Sequence, residues 1–148
     1  MRRRDFVLLP LAALPLGVAA QAPNAHISTT DPLVYSFTKG RPVMPGRVTL
    51  ELPAIADNGN SVPMTVKVAS PMTPAEYVRS VRLIAEKNPI RDMATFYLGP
   101  RCPRAEIASR IRLNGTQRVV AIAELSDGSF WSDAAQIEVQ QAACTEGD

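Results

Sequence analysis

Two cysteines, Cys102 and Cys144, are the side chains of this sequence best suited to covalent chemistry. Cys102 lies between Arg101 and Pro103, and Cys144 is followed by four residues. In an exported protein such a pair favours a disulfide, and closing this loop would stabilise the fold by roughly 4 kcal/mol in the chain-entropy model. A cysteine on a terminal tail can instead stay a thiol and enter the active site of another protein. The residues alone leave both interpretations open, although composition favours the disulfide.

His26 is the single histidine, and it lies in an N-terminal stretch that prolines interrupt. Acid–base catalysis needs a fixed geometry, which a terminal segment rarely provides. One histidine and two cysteines also fall short of the usual four-ligand zinc site, and the sequence has no glycine-rich phosphate-binding loop. We therefore expect no catalytic residue, no metal and no cofactor. A self-sufficient enzyme is the least favoured class of function.

Residues 1–20 have the composition of an export signal. Three arginines precede an apolar stretch that two prolines interrupt and that is too short to span a bilayer as a helix. Small residues favour cleavage after Ala20, with cleavage after Ala22 as the second option. The run Arg3-Arg4-Asp5-Phe6-Val7 resembles a twin-arginine signal, and an ordinary Sec signal is the alternative. Either route predicts a protein that works outside the cytoplasm, in a bacterial periplasm.

Removal of residues 1–20 would change the net charge of the chain. The full sequence has 16 basic and 14 acidic residues, and the signal contains three arginines and one aspartate. The remainder therefore has equal numbers of acidic and basic side chains, whereas a nucleic-acid surface needs an excess of cations to neutralise phosphates. The sequence also has no second long apolar run. These features predict a protein that binds neither nucleic acid nor, after signal removal, a membrane.

The body of the chain shows the alternation of apolar and polar residues that predicts half-buried β-strands. Turn signals separate the alternating segments, among them Asn114-Gly115, which is typical of a type I′ hairpin. No long amphipathic helix is visible. The pattern predicts an all-β fold, an immunoglobulin-like antiparallel β-sandwich of about seven strands. The predicted strands are 48–52, 62–68, 81–86, 94–98, 107–113 and 119–123, and a last strand that carries Ile137 and Val139.

Two segments before and between these strands are less regular. Residues 21–45 are predicted to form an irregular N-terminal extension, in which the apolar cluster 33–37 fits a short helix or an edge strand. Thr73 and Glu76 have the spacing of a helix capping box, so residues 71–77 are expected to form a loop or one helical turn.

Six short motifs follow one another through the strand-rich region. They are Val48-Thr49-Leu50-Glu51-Leu52-Pro53, Ile55-Ala56-Asp57-Asn58-Gly59, Val62-Pro63-Met64-Thr65-Val66, Lys87-Asn88-Pro89, Ser109-Arg110-Ile111-Arg112-Leu113 and Glu124-Leu125-Ser126-Asp127-Gly128. Their order, from about Gly46 to Cys144, resembles the SoxY family, the sulfur-carrier subunits of the periplasmic Sox sulfur-oxidation system. The twin-arginine-like signal also fits that family.

The resemblance implies an immunoglobulin-like sandwich that pairs with a SoxZ-like subunit. It also implies that Cys144 carries sulfur intermediates covalently while other Sox enzymes act on them in thiosulfate oxidation. The carrier itself would be no enzyme. A cysteine sulfur can hold a sulfane or thiosulfonate group, and a tethered tail presents that group to several partners at high effective concentration.

The tail differs from the family pattern. SoxY tails read Gly-Gly-Cys-Gly-Gly, whereas this chain has Ala142-Ala143-Cys144-Thr145-Glu146, which adds bulk and a negative charge. A Cys102–Cys144 disulfide would block the carrier chemistry, so the alternative function is a non-catalytic periplasmic binding or structural module. Arg101 and Arg104 beside Cys102 would either attract anionic sulfur species or lie in a solvated turn.

Four segments make up the predicted domain organisation. They are an export signal (1–20), an irregular extension (21–45), a SoxY-like β-sandwich (46–140) and a C-terminal tail bearing Cys144 (141–148). Within the sandwich, Arg110 and Arg112 alternate with apolar residues and are predicted to face solvent or a partner.

Overall fold

The computed structural model describes residues 27–143. The predicted export signal, His26 and Cys144 lie outside the described residues. Within residues 27–143, no helix is long and apolar enough to cross a membrane. The elements of this part of the chain are α1 (Pro32–Thr38), β1 (Val43–Pro45), β2 (Val48–Glu51), β3 (Ile55–Asn58), β4 (Val62–Val68), β5 (Val78–Ala85), β6 (Asp92–Tyr97), β7 (Glu106–Ile111), β8 (Gln117–Leu125) and β9 (Phe130–Gln141).

The strands form two sheets that pack face to face. The larger sheet has the order β1-β9-β8-β5-β6, with β3 also paired to β9, and the smaller sheet has the order β2-β4-β7. This arrangement confirms the predicted all-β, immunoglobulin-like β-sandwich. The described residues form nine strands rather than about seven, because β1 and β3 are short segments that pair in parallel with β9. Neither segment shows enough alternation to be recognised in the sequence.

The core between the sheets explains the alternation in the sequence. On β4 every second side chain is buried, and the residues between them are exposed or half-buried. β8 lies between β5 and β9 and is buried on both faces, as the apolar run 119–123 predicts. Each fully buried valine or leucine contributes about 1.5–3 kcal/mol by removing apolar surface from water. The core residues of these two strands are Val62, Met64, Val66, Val68, Val119, Ala121, Ala123 and Leu125.

A second apolar cluster lies on the outer face of the larger sheet, beneath α1. Asp31 begins this helix, since its carboxylate accepts a hydrogen bond from the Leu33 N–H (3.0 Å). The same carboxylate pairs with Arg91 (2.5 Å), which joins the helix to the β5–β6 turn. Phe37 packs edge-on against Phe130 of β9, with ring centroids 5.5 Å apart.

The segment before the sandwich is therefore more ordered than its sequence suggested. Residues 21–45 were expected to be irregular, but their described part contains α1 and β1. The apolar cluster 33–37 is helical rather than an edge strand. The reason is packing, because the apolar side of this short helix covers the larger sheet.

The two turn predictions have different outcomes, and residues 71–77 form a loop, which was one of the two predicted alternatives. The hairpin prediction for Asn114-Gly115 is wrong, because β7 pairs with β4 whereas β8 pairs with β5 and β9 in the other sheet. The Glu76 N–H donates to the Thr73 hydroxyl (3.1 Å), which is half of the capping box, but no helix follows. The Glu76 carboxylate instead pairs with Arg47 (2.6 Å).

The two ends of the sandwich carry different features. At one end, β9 finishes beside the β3–β4 and β7–β8 turns; we call this the tail end. At the other end, β6 passes into the loop that contains Cys102. β7 runs between the two ends, from Glu106 opposite Lys67 to Ile111 opposite Val62.

Candidate functional site

The last described residue, Ala143, is fixed to the body of the protein at the tail end. Its N–H donates to the Leu113 carbonyl (3.1 Å), and the Leu113 N–H donates to the Gly59 carbonyl (2.8 Å). The Gly59 N–H in turn donates to the Gln141 carbonyl (2.8 Å). Ala143 is only 3% exposed. We call these four residues the tail clamp, and they hold the backbone up to the residue before Cys144.

Gly59 is needed in the tail clamp because the backbone around it is too close for a side chain. A Cβ atom at this position would lie 1.9 Å from the Leu113 carbonyl oxygen and 3.0 Å from the Ala143 nitrogen. Both neighbours are backbone atoms, so they cannot move aside as the end of a flexible side chain would. Any other residue at position 59 must therefore push the Leu113 segment and the tail away.

A polar network supports the segment that leads into the tail clamp. The Gln117 side chain is buried (1% exposed); it accepts from the Lys87 N–H (2.9 Å) and donates to the Asn88 Oδ1 (2.8 Å). Asn88 also accepts from the Asn114 N–H (2.9 Å) and donates to the Arg112 carbonyl (2.9 Å). These bonds satisfy polar groups that burial would otherwise penalise. They also fix the β5–β6 turn to the β7–β8 turn.

Three exposed cations lie around the tail end. Lys87, Arg110 and Arg112 are exposed, as the alternation predicted for the two arginines. The Arg110 guanidinium donates to the Ser61 carbonyl and hydroxyl oxygens (3.2 Å each). The ion pairs among residues 27–143 involve none of the three. These cations would attract an anionic group attached near Ala143, an attraction weakened by solvent and salt, whereas the exposed Asp57 of the same end has the opposite charge.

Cys102 lies at the opposite end of the sandwich and carries a free thiol. Its N–H donates to the Gly99 carbonyl (2.9 Å), and its half-buried side chain packs against the core. Arg101 and Arg104 beside it are exposed. The structure therefore does not bring Cys102 close to Ala143.

Two carboxyl groups have shifted pKa values, and neither belongs to the tail end. Burial alone would raise the pKa of Asp31, but hydrogen bonds from Arg91 and the Leu33 N–H outweigh it and lower the pKa. Hydrogen bonds from the Ser129 hydroxyl and N–H lower the pKa of Asp127. The described residues contain no group of three or more His, Cys, Asp or Glu side chains that could hold a metal ion. Hydrogen bonds within the fold thus explain the lowered pKa values of Asp31 and Asp127.

Comparison with known families indicates which of these features are part of a known protein family. The family described as "Sulfur oxidation protein SoxY" matches residues 35–144, which is most of the chain. The chain belongs to the SoxY family. The match begins within α1 and ends on Cys144, so it includes the whole tail clamp. A search of curated proteins found no match.

Solved structures share the fold. The sulfur carrier protein SoxY from Chlorobium limicola f thiosulfatophilum has a TM-score of 0.63 at 22% identity, covering 76% of this chain and 96% of that one. A superoxide reductase (neelaredoxin) from Ignicoccus hospitalis has a TM-score of 0.56 at 17% identity, covering 64% and 80%. A putative superoxide reductase from Thermotoga maritima has a TM-score of 0.56 at 15% identity, covering 71% and 91%. At these identities the similarity concerns the fold alone.

Membership of the SoxY family assigns the chain to sulfur oxidation, in the role of a carrier. Cys144, which sequence analysis selected, lies outside the described residues, so its role stays a prediction. The tail clamp was not predicted from the sequence, because Gly59 was recognised only as the last residue of a family motif and Leu113 only as the end of a strand. The Lys87-Asn88-Pro89 motif was the available signal, since Asn88 supports the neighbouring turn.

Proposed function

We propose that this SoxY-family chain is a periplasmic carrier that holds sulfur intermediates covalently on Cys144. Partner enzymes act on the bound sulfur during thiosulfate oxidation, and a SoxZ-like subunit forms a complex with the carrier. The tail clamp is the observation that carries this proposal. It fixes the backbone through Ala143, and consecutive Cα atoms are about 3.8 Å apart, so Cys144 is tethered to the tail end of the sandwich. The predicted export signal in residues 1–20 supports the periplasmic location.

Loading the carrier requires a thiol and an external oxidant. Joining the Cys144 Sγ to the outer sulfur of thiosulfate forms one S–S bond, and it releases one proton from the thiol and two electrons. An oxidising partner protein takes up the two electrons. The product carries a negatively charged thiosulfonate group, which the exposed Arg112 and Lys87 side chains would attract. The carrier contributes attachment and positioning, and the partners contribute catalysis.

The tail clamp also sets how far Cys144 can reach. In a tail that reads Gly-Gly-Cys-Gly-Gly, glycines on both sides of the cysteine leave the backbone free to rotate. In this chain Ala143 is buried and hydrogen-bonded, so the residue before Cys144 does not extend the arm. We therefore expect partner active sites to approach the body of this carrier closely.

The alternative, a structural module with an intrachain Cys102–Cys144 disulfide, is less favoured by the positions of the described residues. A disulfide needs Cα atoms within about 7 Å of each other. β7 separates the Cys102 end from the tail end, and its six residues span about 17 Å at 3.4 Å per residue. Ala143, which directly precedes Cys144, is held at the tail end. Forming the bridge would require breaking the tail clamp.

Reconstitution of thiosulfate oxidation tests the proposal. The assay combines the mature chain, its SoxZ-like subunit and the other Sox proteins of the same organism, and it follows electron transfer from thiosulfate to an acceptor dye. We expect Cys144→Ser to abolish turnover and the matched variant Cys102→Ser to retain it. Full turnover by a folded Cys144→Ser variant would show that sulfur is not carried on this residue.

A further inference from the structure

The chain contains three dipeptides in which a glycine directly follows an asparagine or an aspartate. They are Asn58-Gly59, Asn114-Gly115 and Asp127-Gly128. In such dipeptides the glycine nitrogen can attack the side-chain carbonyl carbon of the preceding residue, because glycine has no side chain that hinders the approach. The attack needs a nitrogen whose N–H is free of hydrogen bonds and a backbone with space to move. All three dipeptides lie within residues 27–143, and one of them meets both requirements.

The Asn58-Gly59 dipeptide is held by the tail clamp. The Gly59 N–H donates to the Gln141 carbonyl (2.8 Å), and Asn58 belongs to β3, which pairs with β9. The Asn58 side-chain oxygen also accepts from the Asn60 N–H (3.2 Å). A Cβ atom at position 59 would lie 1.9 Å from the Leu113 carbonyl oxygen, so the backbone here has no space to rotate. Reaction at Asn58 therefore requires the tail clamp to open first.

The Asp127-Gly128 dipeptide is also held by hydrogen bonds. The Gly128 N–H donates to the Leu125 carbonyl (2.9 Å), so its nitrogen is not free. The Asp127 carboxylate accepts from the Ser129 hydroxyl (2.6 Å) and from the Ser129 N–H (2.8 Å). These two bonds lower the pKa of Asp127, and an ionised carboxylate resists nucleophilic attack.

The Asn114-Gly115 dipeptide lies in the β7–β8 turn and meets both requirements. Among residues 27–143, neither the Gly115 N–H nor the Asn114 side chain has a hydrogen-bond partner. A Cβ atom placed on Gly115 would have no atom within 4 Å outside its chain neighbours. Both residues are half-buried, so water reaches them. Hydrogen bonds hold the outer sides of the dipeptide, where the Asn114 N–H donates to Asn88 (2.9 Å) and the Gly115 carbonyl accepts from Gln117 (3.2 Å).

We propose that Asn114 is a site of spontaneous deamidation. The Gly115 nitrogen bonds to the Asn114 Cγ, the bond from Cγ to the side-chain nitrogen breaks, and ammonia leaves with the proton of the Gly115 N–H. Water then opens the resulting succinimide ring at one of its carbonyl carbons. Opening at Cγ leaves aspartate in an unchanged backbone. Opening at the main-chain carbon leaves isoaspartate, in which the backbone runs through the side chain. No oxidant or reductant takes part, and water is the other reactant.

The position of Asn114 connects this modification with the tail clamp. Isoaspartate adds one methylene group to the backbone just before Gly115, which displaces the Gly115 carbonyl from the Gln117 side chain. Gln117 is 1% exposed, so a hydrogen bond lost there is not replaced by water. Leu113 directly precedes Asn114, and its carbonyl accepts from the Ala143 N–H. Deamidated chains therefore have a weaker tail clamp.

The consequence for the carrier, though not the modification itself, rests on the proposed function. A weaker tail clamp gives the segment that bears Cys144 more freedom, so aged carriers present the bound sulfur less precisely to their partners. The carboxylate formed at position 114 also adds a negative charge at the tail end. This charge opposes the attraction of Lys87 and Arg112 for an anionic sulfur group.

Peptide mapping by mass spectrometry tests the site. The mature protein is incubated in mildly alkaline buffer, which favours loss of the amide proton, and samples are digested over several weeks. Replacement of the amide NH₂ by OH changes the mass, and the aspartate and isoaspartate peptides separate by chromatography. We expect conversion at Asn114 to be at least about tenfold faster than at Asn58, because opening the tail clamp adds about 1.4 kcal/mol or more to the barrier at Asn58.

Two variants and a denatured reference serve as controls. Asn114→Gln keeps an amide and the backbone but reacts through a larger ring that forms slowly, so its peptide should stay unchanged. Asn58→Gln should leave the conversion at Asn114 as in wild type. In denatured wild type, both Asn-Gly dipeptides should react at similar rates. The proposal is overturned if Asn114 stays unchanged in the folded protein while it converts in the denatured one, or if the folded protein converts Asn58 and Asn114 equally fast.

Hydrogen exchange on the aged protein tests the effect on the tail clamp. Loss of one buried hydrogen bond predicts exchange of the Ala143 amide about tenfold faster in isoaspartate-containing wild type than in equally aged Asn114→Gln. Equal exchange in the two proteins would overturn the connection between deamidation and the tail clamp. Sulfur loading on Cys144, measured by mass before ageing, reports on the carrier function separately, because it does not depend on deamidation.

Discussion

Single residues at the tail end hold the chain next to Cys144, and Gly59 is the most sensitive of them. Gly59→Ala would place a Cβ atom 1.9 Å from the Leu113 carbonyl oxygen, so the Leu113 segment must move. We expect a loss of about 1–3 kcal/mol in the free energy of unfolding, measured by urea denaturation. Faster hydrogen exchange at the Ala143 amide should accompany the loss. Gly99→Ala is the control, because no atom lies within 4 Å of its added Cβ; equal effects of both substitutions would contradict the tail clamp.

Asp31 makes the attachment of α1 dependent on pH. Its pKa is lowered in the folded protein, because the hydrogen bonds from Arg91 and the Leu33 N–H outweigh the effect of burial. A carboxyl with a lowered pKa stabilises the fold above its unfolded pKa, and this stabilisation disappears as pH falls through the folded pKa. We expect wild type to lose more stability than Asp31→Asn between about pH 5 and pH 2. Parallel curves of unfolding free energy against pH would contradict this expectation.

At the scale of elements, alternation in the sequence predicted the strands that line the core but not the way they are joined. β4 and β8 were predicted because their buried faces require apolar residues at regular positions. β1 and β3 were missed because short parallel strands at the edge of β9 need backbone pairing rather than an apolar pattern. The Asn114-Gly115 signal correctly marked a turn, since Gly115 has φ 87°, but a turn alone cannot specify which sheet follows.

The tail clamp, like the pairing of β1 and β3, could not be predicted from the pattern of residue types. Gly59, Leu113 and Ala143 are far apart in sequence, and their contacts are between backbone atoms. Backbone contacts leave little trace in residue types, apart from the glycine that the close approach requires. Cys144 could be selected from the sequence because its type and its place on the tail indicate chemistry directly.

The attachment of α1 can be separated from the stability of the sandwich. The Phe37 ring packs against Phe130, and the Arg82 guanidinium lies 4.8 Å from the centre of the Phe37 ring. These contacts belong to the outer cluster rather than to the core between the sheets. We expect Phe37→Ala to expose residues 27–38 to limited proteolysis and to lower the unfolding free energy by about 1–2 kcal/mol. Protection equal to that of wild type would show that other contacts attach the helix.

At the scale of the whole molecule, Cys102 and Ala143, the residue that precedes Cys144, lie at opposite ends of the sandwich. Cys102 has a free thiol at one end, and the tail clamp holds Ala143 at the other. We therefore expect reductant to leave the thermal midpoint of the mature protein unchanged and thiol titration of the unreduced, unfolded chain to find two reactive groups. A marked decrease in the midpoint with reductant would favour the structural module with a Cys102–Cys144 disulfide.

Intact mass spectrometry shows directly whether Cys144 carries sulfur. The mature protein, kept without reductant, is incubated with thiosulfate and its oxidising Sox partners and is compared with Cys144→Ser and Cys102→Ser. We expect a mass increase of one S₂O₃ group in wild type and in Cys102→Ser, and no increase in Cys144→Ser. A wild-type protein two hydrogens light with both thiols blocked, or an adduct that persists in Cys144→Ser, would contradict it.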